Sequence, residues 1–477
     1  MEKSLNLVAF DCGNSSIRTI LCHFDGKRVK SELVLMEPNE ILEINGYYYW
    51  DMHRIFATMK KGLSLAAEKV DRIDSVGICT WGIDFWLLDE KDEFIGNSLC
   101  YRNTIGEEQM SRQTESEQKE MFFRTGILCD KINTVYMLRG MREHMPSAAE
   151  RARKILLVPD IFVYLFTGRK MNEPSELSTS QMLKVHKMEI SREQCTYAGV
   201  SPDIFSEIGE HGRLVGNIKK EILEEAGITY DIPVVCVPSH DTACAVMAIP
   251  SREEKYLFVS SGTWALIGAQ CPSPIINEKV YASKLTNEIG AFGRTTLLRN
   301  SAGMFIVQRL KAEYEDMNGK ISWDDFTALS ESYRGEIPTF DVNDNCLFNP
   351  KSMTEEIRRL IHPEETKEEG PCWPEILASA YASLGDSYAE VLRKVQECTE
   401  ESYKEVFIVG GGAKNAHINQ RCANKIKMPV ATCDMECSSV GNAVVQIAYF
   451  HPEYSYDRLR EIITDSLQVK TYYPQNI

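Results

Sequence analysis

The sequence has no long apolar run, no excess of basic residues and no Walker-type Gly-x-x-x-x-Gly-Lys-Ser/Thr loop. No apolar stretch reaches the length of a membrane-spanning helix, and the first residues lack the apolar segment of a signal peptide. The formal net charge of −16 argues against nucleic acid as a partner, because phosphate backbones bind basic faces. These absences predict a cytoplasmic protein that binds neither nucleic acid nor membrane.

The composition is typical of a globular protein, with 43% apolar and 26% charged residues. A chain of 477 residues is too long for one ordinary core, so two domains are expected. Fifteen cysteines are scattered along the chain, several inside apolar segments, as at Cys22, Cys79, Cys236 and Cys244. This scatter predicts reduced thiols rather than a disulfide framework.

His240 and Asp241 follow the apolar segment 232–237 and precede small residues. A strand that ends at a carboxylate and is followed by a helix predicts an acid at the mouth of an α/β cleft. Asp241 is a candidate general base, because a carboxylate can accept a proton from a hydroxyl within hydrogen-bond reach. Asp241 is also suited to cap the helix that follows, and the two roles are compatible. A single histidine such as His240 more often supports a neighbour than acts as the catalyst.

Two polar, glycine-containing turns, at residues 11–16 and 260–263, each join two strand-like segments. Aligning residues 11–13 on residues 260–262 superposes the two hairpins, which indicates a structural duplication. Backbone N–H groups around a glycine can form a nest for an anion. A carboxylate at a strand end, such as Asp11, can hold Mg²⁺ through water. An ordinary hairpin tip is the alternative interpretation of both turns.

Two further motifs favour small ligands. Residues 410–412 are three glycines after a strand-like segment, and they would let a flat ring approach the backbone closely. A simple strand-to-helix turn is the alternative. In residues 80–85, Gly82 stands between the aromatic Trp81 and the acid Asp84. That arrangement suits a sugar, although core packing of Trp81 explains it equally well.

In this order, the motifs resemble the FGGY carbohydrate kinases of the actin, hexokinase and Hsp70 superfamily and, within that family, the rhamnulokinases. The resemblance extends over nearly the whole chain. It is carried by residues 45–51, 80–85, 101–102, 133–136, 159–160, 239–243, 260–264, 286–288, 293–294 and 410–412, with Asn300 and Gln308.

The resemblance implies an α/β fold with two actin/hexokinase-like, ribonuclease H-like domains and an active-site cleft between them. Residues 1–249 would bind the sugar and carry the catalytic base, and residues 250–477 would bind the nucleotide. The polar segment 250–255 is suited to a hinge between the two.

The resemblance also implies ATP-dependent phosphorylation of a ketose, L-rhamnulose to L-rhamnulose 1-phosphate, with ATP and Mg²⁺ as cofactors. Asp241 would accept the proton and Asp11 would lie near the metal. The implied sugar-binding residues are Trp81, Gly82, Arg102, Asn103, His240, Asp241, Thr242 and Asn300. The implied nucleotide-binding residues are Asn14, Ser15, Ser16, Ile17, Arg18, Thr263, Gln308, Gly411 and Gly412.

The chain departs from rhamnulokinases at three positions: Ile17 replaces a usual Gly, Cys79 a common Asp, and Asn103 a usual Asp. Because an amide donates hydrogen bonds and an ionised carboxylate only accepts them, Asn103 is predicted to tune sugar choice. Three alternatives remain open: another FGGY kinase for L-fuculose or D-xylulose, a non-catalytic sugar or nucleotide sensor, and an actin-like ATPase.

Overall fold

The computed structural model describes residues 4–363, 372–433 and 437–475. These residues form two compact units. The first unit comprises the described residues of Met1–Pro250, Gln270–Leu297 and Met435–Leu467, and the second those of Ser251–Ala269, Leu298–Asp434 and Gln468–Ile477. The chain therefore returns to the first unit twice after leaving it. The predicted α/β class with two domains is confirmed, whereas the functional boundary at 249/250 and the active-site cleft stay predictions.

Eighteen α-helices occur in the described part of the chain. They are α1 (Met52–Ala67), α2 (Ile105–Ser111), α3 (Glu115–Thr125), α4 (Thr134–His144), α5 (Pro146–Arg151), α6 (Val158–Thr167), α7 (Pro174–Thr179), α8 (Arg192–Ala198), α9 (Lys220–Glu225), α10 (Asp241–Met247), α11 (Glu278–Ala282), α12 (Phe305–Asn318), α13 (Trp323–Leu329), α14 (Met353–Ile361), α15 (Trp373–Thr399), α16 (Ala416–Ile426), α17 (Cys437–Phe450) and α18 (Tyr456–Ser466). None of these helices is both long and apolar enough to cross a membrane.

Twenty β-strands occur in the same residues. They are β1 (Leu5–Cys12), β2 (Ser16–Phe24), β3 (Val29–Pro38), β4 (Ile41–Ile44), β5 (Tyr47–Trp50), β6 (Ser75–Thr80), β7 (Phe85–Leu88), β8 (Ser98–Leu99), β9 (Lys154–Leu157), β10 (Leu183–Lys184), β11 (Glu189–Ile190), β12 (Leu214–Asn217), β13 (Pro233–Val235), β14 (Leu257–Ser261), β15 (Trp264–Cys271), β16 (Thr286–Ile289), β17 (Thr295–Ala302), β18 (Val406–Val409), β19 (Val430–Cys433) and β20 (Val469–Tyr472).

The main sheet of the first unit has the strand order β12-β13-β6-β1-β2-β3. β1 pairs antiparallel with β2 and parallel with β6, and β6 pairs parallel with β13. β1 and β6 are buried almost throughout, as expected for central strands covered on both faces. Because their carboxyl ends meet at one edge, the residues that follow them are brought side by side.

The core of the first unit lies on both faces of this sheet. On one face Phe10 stacks on Phe166 of α6, with ring centroids 5.6 Å apart, and Phe56 of α1 packs edge-on against Phe166. On the other face α17 approaches β6 so closely that a Cβ at Gly77 would lie 2.2 Å from Asn442 Oδ1. A side chain at position 77 would therefore require the side chains of Asn442 and Gln446 to move.

In the second unit, the strand order β15-β14-β18-β19-β20 repeats the order β2-β1-β6-β13-β12 of the first. In both sequences of strands a hairpin is followed by two parallel pairings and an antiparallel edge strand. This repetition supports the predicted duplication. The two hairpins predicted around the turns at residues 11–16 and 260–263 are confirmed.

Candidate active site

The first candidate site lies where β1, β6 and the segment after β13 end together in the first unit. Thr80 N donates to Ser239 O at 2.7 Å, and Trp81 N donates to Cys12 O at 3.2 Å. Gly82 lies next to His240, since a Cβ at residue 82 would be 3.4 Å from His240 Nε2. The structure thus brings Gly82 next to the adjacent pair His240 and Asp241, which follow it by about 160 positions in sequence.

Asp241 is the first residue of α10, and His240 occupies the N-cap without a side-chain capping bond. The predicted capping role of Asp241 is therefore wrong, because the helix begins one residue earlier than expected. The Asp241 side chain is 37% exposed, and its Oδ1 accepts a hydrogen bond from Thr242 Oγ1 at 3.2 Å. Desolvation raises the pKa of Asp241 above its ordinary value, opposed by the charge of His240. This carboxylate combines solvent access with raised basicity, as a proton acceptor requires.

His240 is flanked by two carboxylates. Its Nε2 lies 3.7 Å from Asp241 Oδ1, and its Nδ1 lies 3.1 Å from Glu288 Oε2. Burial by itself would lower the pKa of His240, but the charge and hydrogen bond of Glu288, together with the charges of Asp241 and Glu173, outweigh it and raise the pKa to about 9. The ring is thus a cation at neutral pH. Motif reasoning missed Glu288 as a partner of His240.

Trp81 belongs to the core of the first unit and is 3% exposed. Its ring centroid lies 4.4 Å from that of Trp50, and both indole N–H groups donate to Asp84 Oδ2, at 2.9 Å and 2.6 Å. Burial raises the pKa of Asp84 to about 7, against the effect of these two bonds. The ring of Trp81 packs in the core, in agreement with the alternative interpretation. A direct contact of Trp81 with the sugar stays a prediction.

Asn103 is buried, and its amide bonds to the backbone. Asn103 Oδ1 accepts from Tyr48 N at 2.9 Å, and Nδ2 donates to Tyr48 O and Cys100 O, both at 2.7 Å. Both amide hydrogens are therefore already used. This geometry gives Asn103 a structural role, and its influence on the choice of sugar stays a prediction. Its neighbour Arg102 is partly exposed, with its guanidinium 5.5 Å from the Tyr101 ring centroid.

Replacing Asn103 by Asp is expected to destabilise the protein by about 1–3 kcal/mol, since the carbonyl groups of Tyr48 and Cys100 each lose the hydrogen bond from Asn103 Nδ2. The replacement also brings a negative charge against those carbonyl oxygens. The measurement is the free energy of unfolding from urea denaturation. Asn97→Asp, on an exposed residue of the same region, is the control and should shift stability by less than about 0.5 kcal/mol. An Asn103→Asp protein of unchanged stability but altered ketose preference would contradict the structural role and support the predicted role in sugar choice.

The hairpin turn after β1 is held by local bonds. Gly13 N donates to Ser16 O at 2.8 Å, and Asn39 Nδ2 donates to Gly13 O at 3.0 Å. Among the predicted phosphate-binding residues of this turn, Asn14, Ser16 and Arg18 are partly exposed and Ser15 is exposed. The Ile17 side chain is buried in the core, so only its backbone can face a ligand. A phosphate contact here stays a prediction.

Asp11 is buried beneath this turn and accepts hydrogen bonds from Arg18, at 2.9 Å, and from Ser438 through the same oxygen, Oδ2. Its other oxygen, Oδ1, has no hydrogen-bond partner among the described residues. No cluster of three or more metal-ligating side chains occurs in the described ranges. Mg²⁺ keeps most of its water and needs only one or two carboxylates, so the free oxygen of Asp11 fits the predicted role.

In the second unit, the turn after β14 contacts the start of α12. Met304 N donates to Gly262 O at 2.8 Å, and Phe305 N donates to Thr263 O at 3.1 Å. One helical turn later, Gln308 is exposed on α12. The turn with Thr263 and the helix with Gln308 are therefore parts of one local structure, although about 40 residues separate them. Asn300, the remaining predicted sugar residue, is exposed on β17 of this unit.

The three glycines after β18 pack against the same turn. Gly410 has φ of +84°, and a Cβ at Gly412 would lie 1.9 Å from Ser261 Oγ. Gly411 is exposed, and a Cβ there would meet no atom within 4 Å. Thr263, Gln308, Gly411 and Gly412, predicted from scattered motifs to bind nucleotide, thus belong to three adjoining segments. Gly411 offers an open surface that a flat ring could approach.

The fold is shared with solved sugar kinases. The chain superposes on the structure of gluconate kinase from Lactobacillus acidophilus with a TM-score of 0.80 at 14% identity, covering 99% of this chain and 94% of the other. It superposes on ligand-bound xylulose kinase from the same species with a TM-score of 0.77 at 13% identity, covering 98% and 94%. At this identity the likeness establishes a two-domain α/β fold of the sugar-kinase type.

Similarity in sequence assigns the chain to a family. Residues 6–248 match the N-terminal domain, and residues 257–449 the C-terminal domain, of the FGGY family of carbohydrate kinases. Rhamnulokinase of Bacteroides thetaiotaomicron is 30% identical, over 99% of this chain and 96% of that protein. Rhamnulokinase of Halalkalibacterium halodurans is 32% identical, over 98% of each. The chain belongs to the FGGY family of carbohydrate kinases.

Proposed function

We propose that this chain transfers the γ-phosphoryl group of ATP to the primary hydroxyl of L-rhamnulose, giving L-rhamnulose 1-phosphate and ADP. The observation that carries the proposal is the solvent-accessible carboxylate of Asp241 beside the His240 cation, at the edge of the first unit's sheet. The choice of ketose is supported by the full-length similarity to two rhamnulokinases, at 30% and 32% identity.

In this reaction Asp241 takes the proton of the C1 hydroxyl as the hydroxyl oxygen bonds to the γ-phosphorus. The bond from the γ-phosphorus to the β,γ-bridging oxygen breaks, and ADP leaves. A positioned general base contributes roughly 10²–10⁴-fold to such a rate. The remaining catalysis is positioning and charge stabilisation, because phosphoryl transfer needs little covalent help from the protein. Gly82, Arg102, His240 and Thr242 are the proposed sugar contacts.

The nucleotide is proposed to bind the second unit through Thr263, Gln308, Gly411 and Gly412. The turn at residues 14–18 is proposed to contact the phosphates through backbone N–H groups and Arg18. Asp11 would hold Mg²⁺ through water, and the metal would neutralise charge on the phosphate oxygens. Arg18 pairs with Asp11 at 2.9 Å, so its positive charge partly neutralises the Asp11 carboxylate near the proposed phosphate site.

The test is an ADP-release assay with L-rhamnulose, L-fuculose and D-xylulose at saturating ATP. We expect the highest kcat/KM for L-rhamnulose, and phosphorus NMR of the product should show a 1-phosphate. A higher kcat/KM for another ketose would identify that ketose as the substrate, and the protein would still be a sugar kinase. Sugar binding without ADP release would identify a sensor, and ATP hydrolysis that is independent of sugar would identify an actin-like ATPase.

A further inference from the structure

Glu288 is a buried carboxylate that reaches the candidate sugar site from a distant part of the sequence. It lies on β16, its side chain is 10% exposed, and its Oε2 lies 3.1 Å from His240 Nδ1. Forty-seven positions separate it from Asp241, and its strand belongs to the segment that returns to the first unit. Its contact with His240 is therefore a product of the fold.

The backbone on both sides of Glu288 is held in place. Asn287 Nδ2 donates to Gly126 O at 2.9 Å and to Ile275 O at 3.1 Å. Ile289 N donates to Ser178 Oγ at 2.9 Å. These bonds tie β16 to the first unit immediately before and after Glu288. The carboxylate is thus presented from a rigid strand, the kind of support that a precisely oriented partner needs.

The backbone of His240 is held from the other side. His240 N donates to Ser175 Oγ at 3.1 Å, and Ser175 Oγ donates to Glu173 Oε2 at 2.6 Å. Glu173 is itself paired with His211, whose Nε2 lies 2.5 Å from Glu173 Oε1. With its backbone bound to α7 and its ring bound to Glu288, His240 keeps one orientation in which Nε2 faces Asp241.

The contact with Glu288 determines which hydrogens His240 carries. Nδ1 must carry a hydrogen to donate to the Glu288 carboxylate, so a neutral ring would leave Nε2 as an acceptor. In the cation both nitrogens donate, and Nε2–H remains available toward Asp241 or a sugar oxygen. The charged groups that act on the ring are Glu288 on β16, Asp241 on α10 and Glu173 before α7.

We propose that Glu288 is a positioning residue for sugar phosphorylation: its carboxylate orients the His240 ring so that Nε2–H points toward Asp241 and the ketose oxygen. The inference rests on the proposed function for its catalytic consequence. The donor keeps Asp241 ionised before proton transfer and fixes the hydroxyl that will react. Loss of Glu288 should therefore lower kcat/KM for the ketose and leave KM for ATP unchanged.

Two substitutions separate orientation from charge. Glu288→Gln keeps the size of the side chain and an acceptor for Nδ1–H but removes the negative charge, whereas Glu288→Ala removes both. Glu278→Gln is the matched control, because Glu278 lies in the same returning segment with a 70% exposed side chain paired to Lys119. The control should behave like the unmodified enzyme in every measurement.

The first measurement is NMR titration of the His240 ring without sugar or ATP, its signal being assigned by its loss in His240→Gln. We expect Glu288→Gln to lower the titration midpoint by at least about one pH unit, since a nearby carboxylate favours the imidazolium.

The second measurement is the dependence of kcat/KM for the ketose on pH. Because the cation is present below its pKa and lost above it, the alkaline limit of kcat/KM for the ketose should move to lower pH.

At pH 8 we expect Glu288→Gln to lower kcat/KM for the ketose by roughly 10-fold and Glu288→Ala by more, with KM for ATP unchanged. An unchanged His240 titration in Glu288→Gln, or an unchanged pH profile in an active enzyme, would overturn the inference. If Glu288→Ala does not fold, the near-isosteric Gln variant decides the question. An unmodified protein that phosphorylates no ketose overturns the proposed function and the catalytic role together, while the titration still reports whether Glu288 controls His240.

Discussion

Replacing Asp241 by Asn should lower kcat for ketose phosphorylation by roughly 10²–10⁴-fold, the usual contribution of a general base. The amide has nearly the same shape, and its oxygen can still accept the bond from Thr242 Oγ1. It cannot take a proton from the attacking hydroxyl. Binding of ketose and of ATP, measured by calorimetry, should therefore persist while ADP release slows by that factor.

The control for Asp241→Asn is Asp231→Asn, which removes the same charge from an exposed residue just before β13. That variant should keep the kcat of the unmodified enzyme. If Asp241→Asn retained more than about a tenth of kcat, far above the residual activity expected without a base, Asp241 would not be the proton acceptor.

Replacing Gly412 by Ala should disrupt the turn at which the nucleotide is proposed to bind. The new Cβ would lie 1.9 Å from Ser261 Oγ and 2.7 Å from Ser261 Cβ, distances that require the backbone to shift. Overpacking of this kind typically destabilises a protein by about 1–3 kcal/mol. Because the same segment carries Gly411, KM for ATP should rise by at least about 10-fold, as small misplacements of binding groups have large effects. KM for the ketose should change little.

Gly411→Ala is the matched comparison, since its Cβ would meet no atom within 4 Å. We expect it to leave the melting temperature unchanged while still raising KM for ATP, because only a bound nucleotide would meet the added methyl group. Adding Ser261→Gly to Gly412→Ala removes the clashing atoms and should recover part of the lost stability. Equal melting temperatures for the two alanine variants would contradict the close approach of Gly412 to Ser261.

The local structure around the candidate site residues was predictable because it is formed by short motifs. The hairpins around the turns at residues 11–16 and 260–263 form as predicted, because apolar strands flank glycine turns whose backbone bonds close locally. Gly410 has the left-handed conformation that favours glycine. The pairing of Asp241 with His240 needed only adjacency in the chain.

Other features were not predictable because they depend on packing between distant segments. The role of Asn103 in sugar choice stays a prediction, but the bonds of its amide to backbone atoms of Tyr48 and Cys100 were not foreseen. Trp81 appeared equally suited to a sugar and to the core, and its ring lies against Trp50. A motif shows which polar groups are present, whereas only the folded structure shows which of these groups are already hydrogen-bonded to other parts of the protein.

The sequence by itself determined the family, the α/β class with two domains and the candidate base, because ordered motifs and local turns are written in neighbouring residues. The tertiary structure alone decided the surroundings of that base. Glu288 and Ser438 reach the first unit from segments that return to it late in the chain. Charge and hydrogen bonding depend on distance in space, so the pKa of His240 and the partners of Asp11 could be known only once the chain had folded.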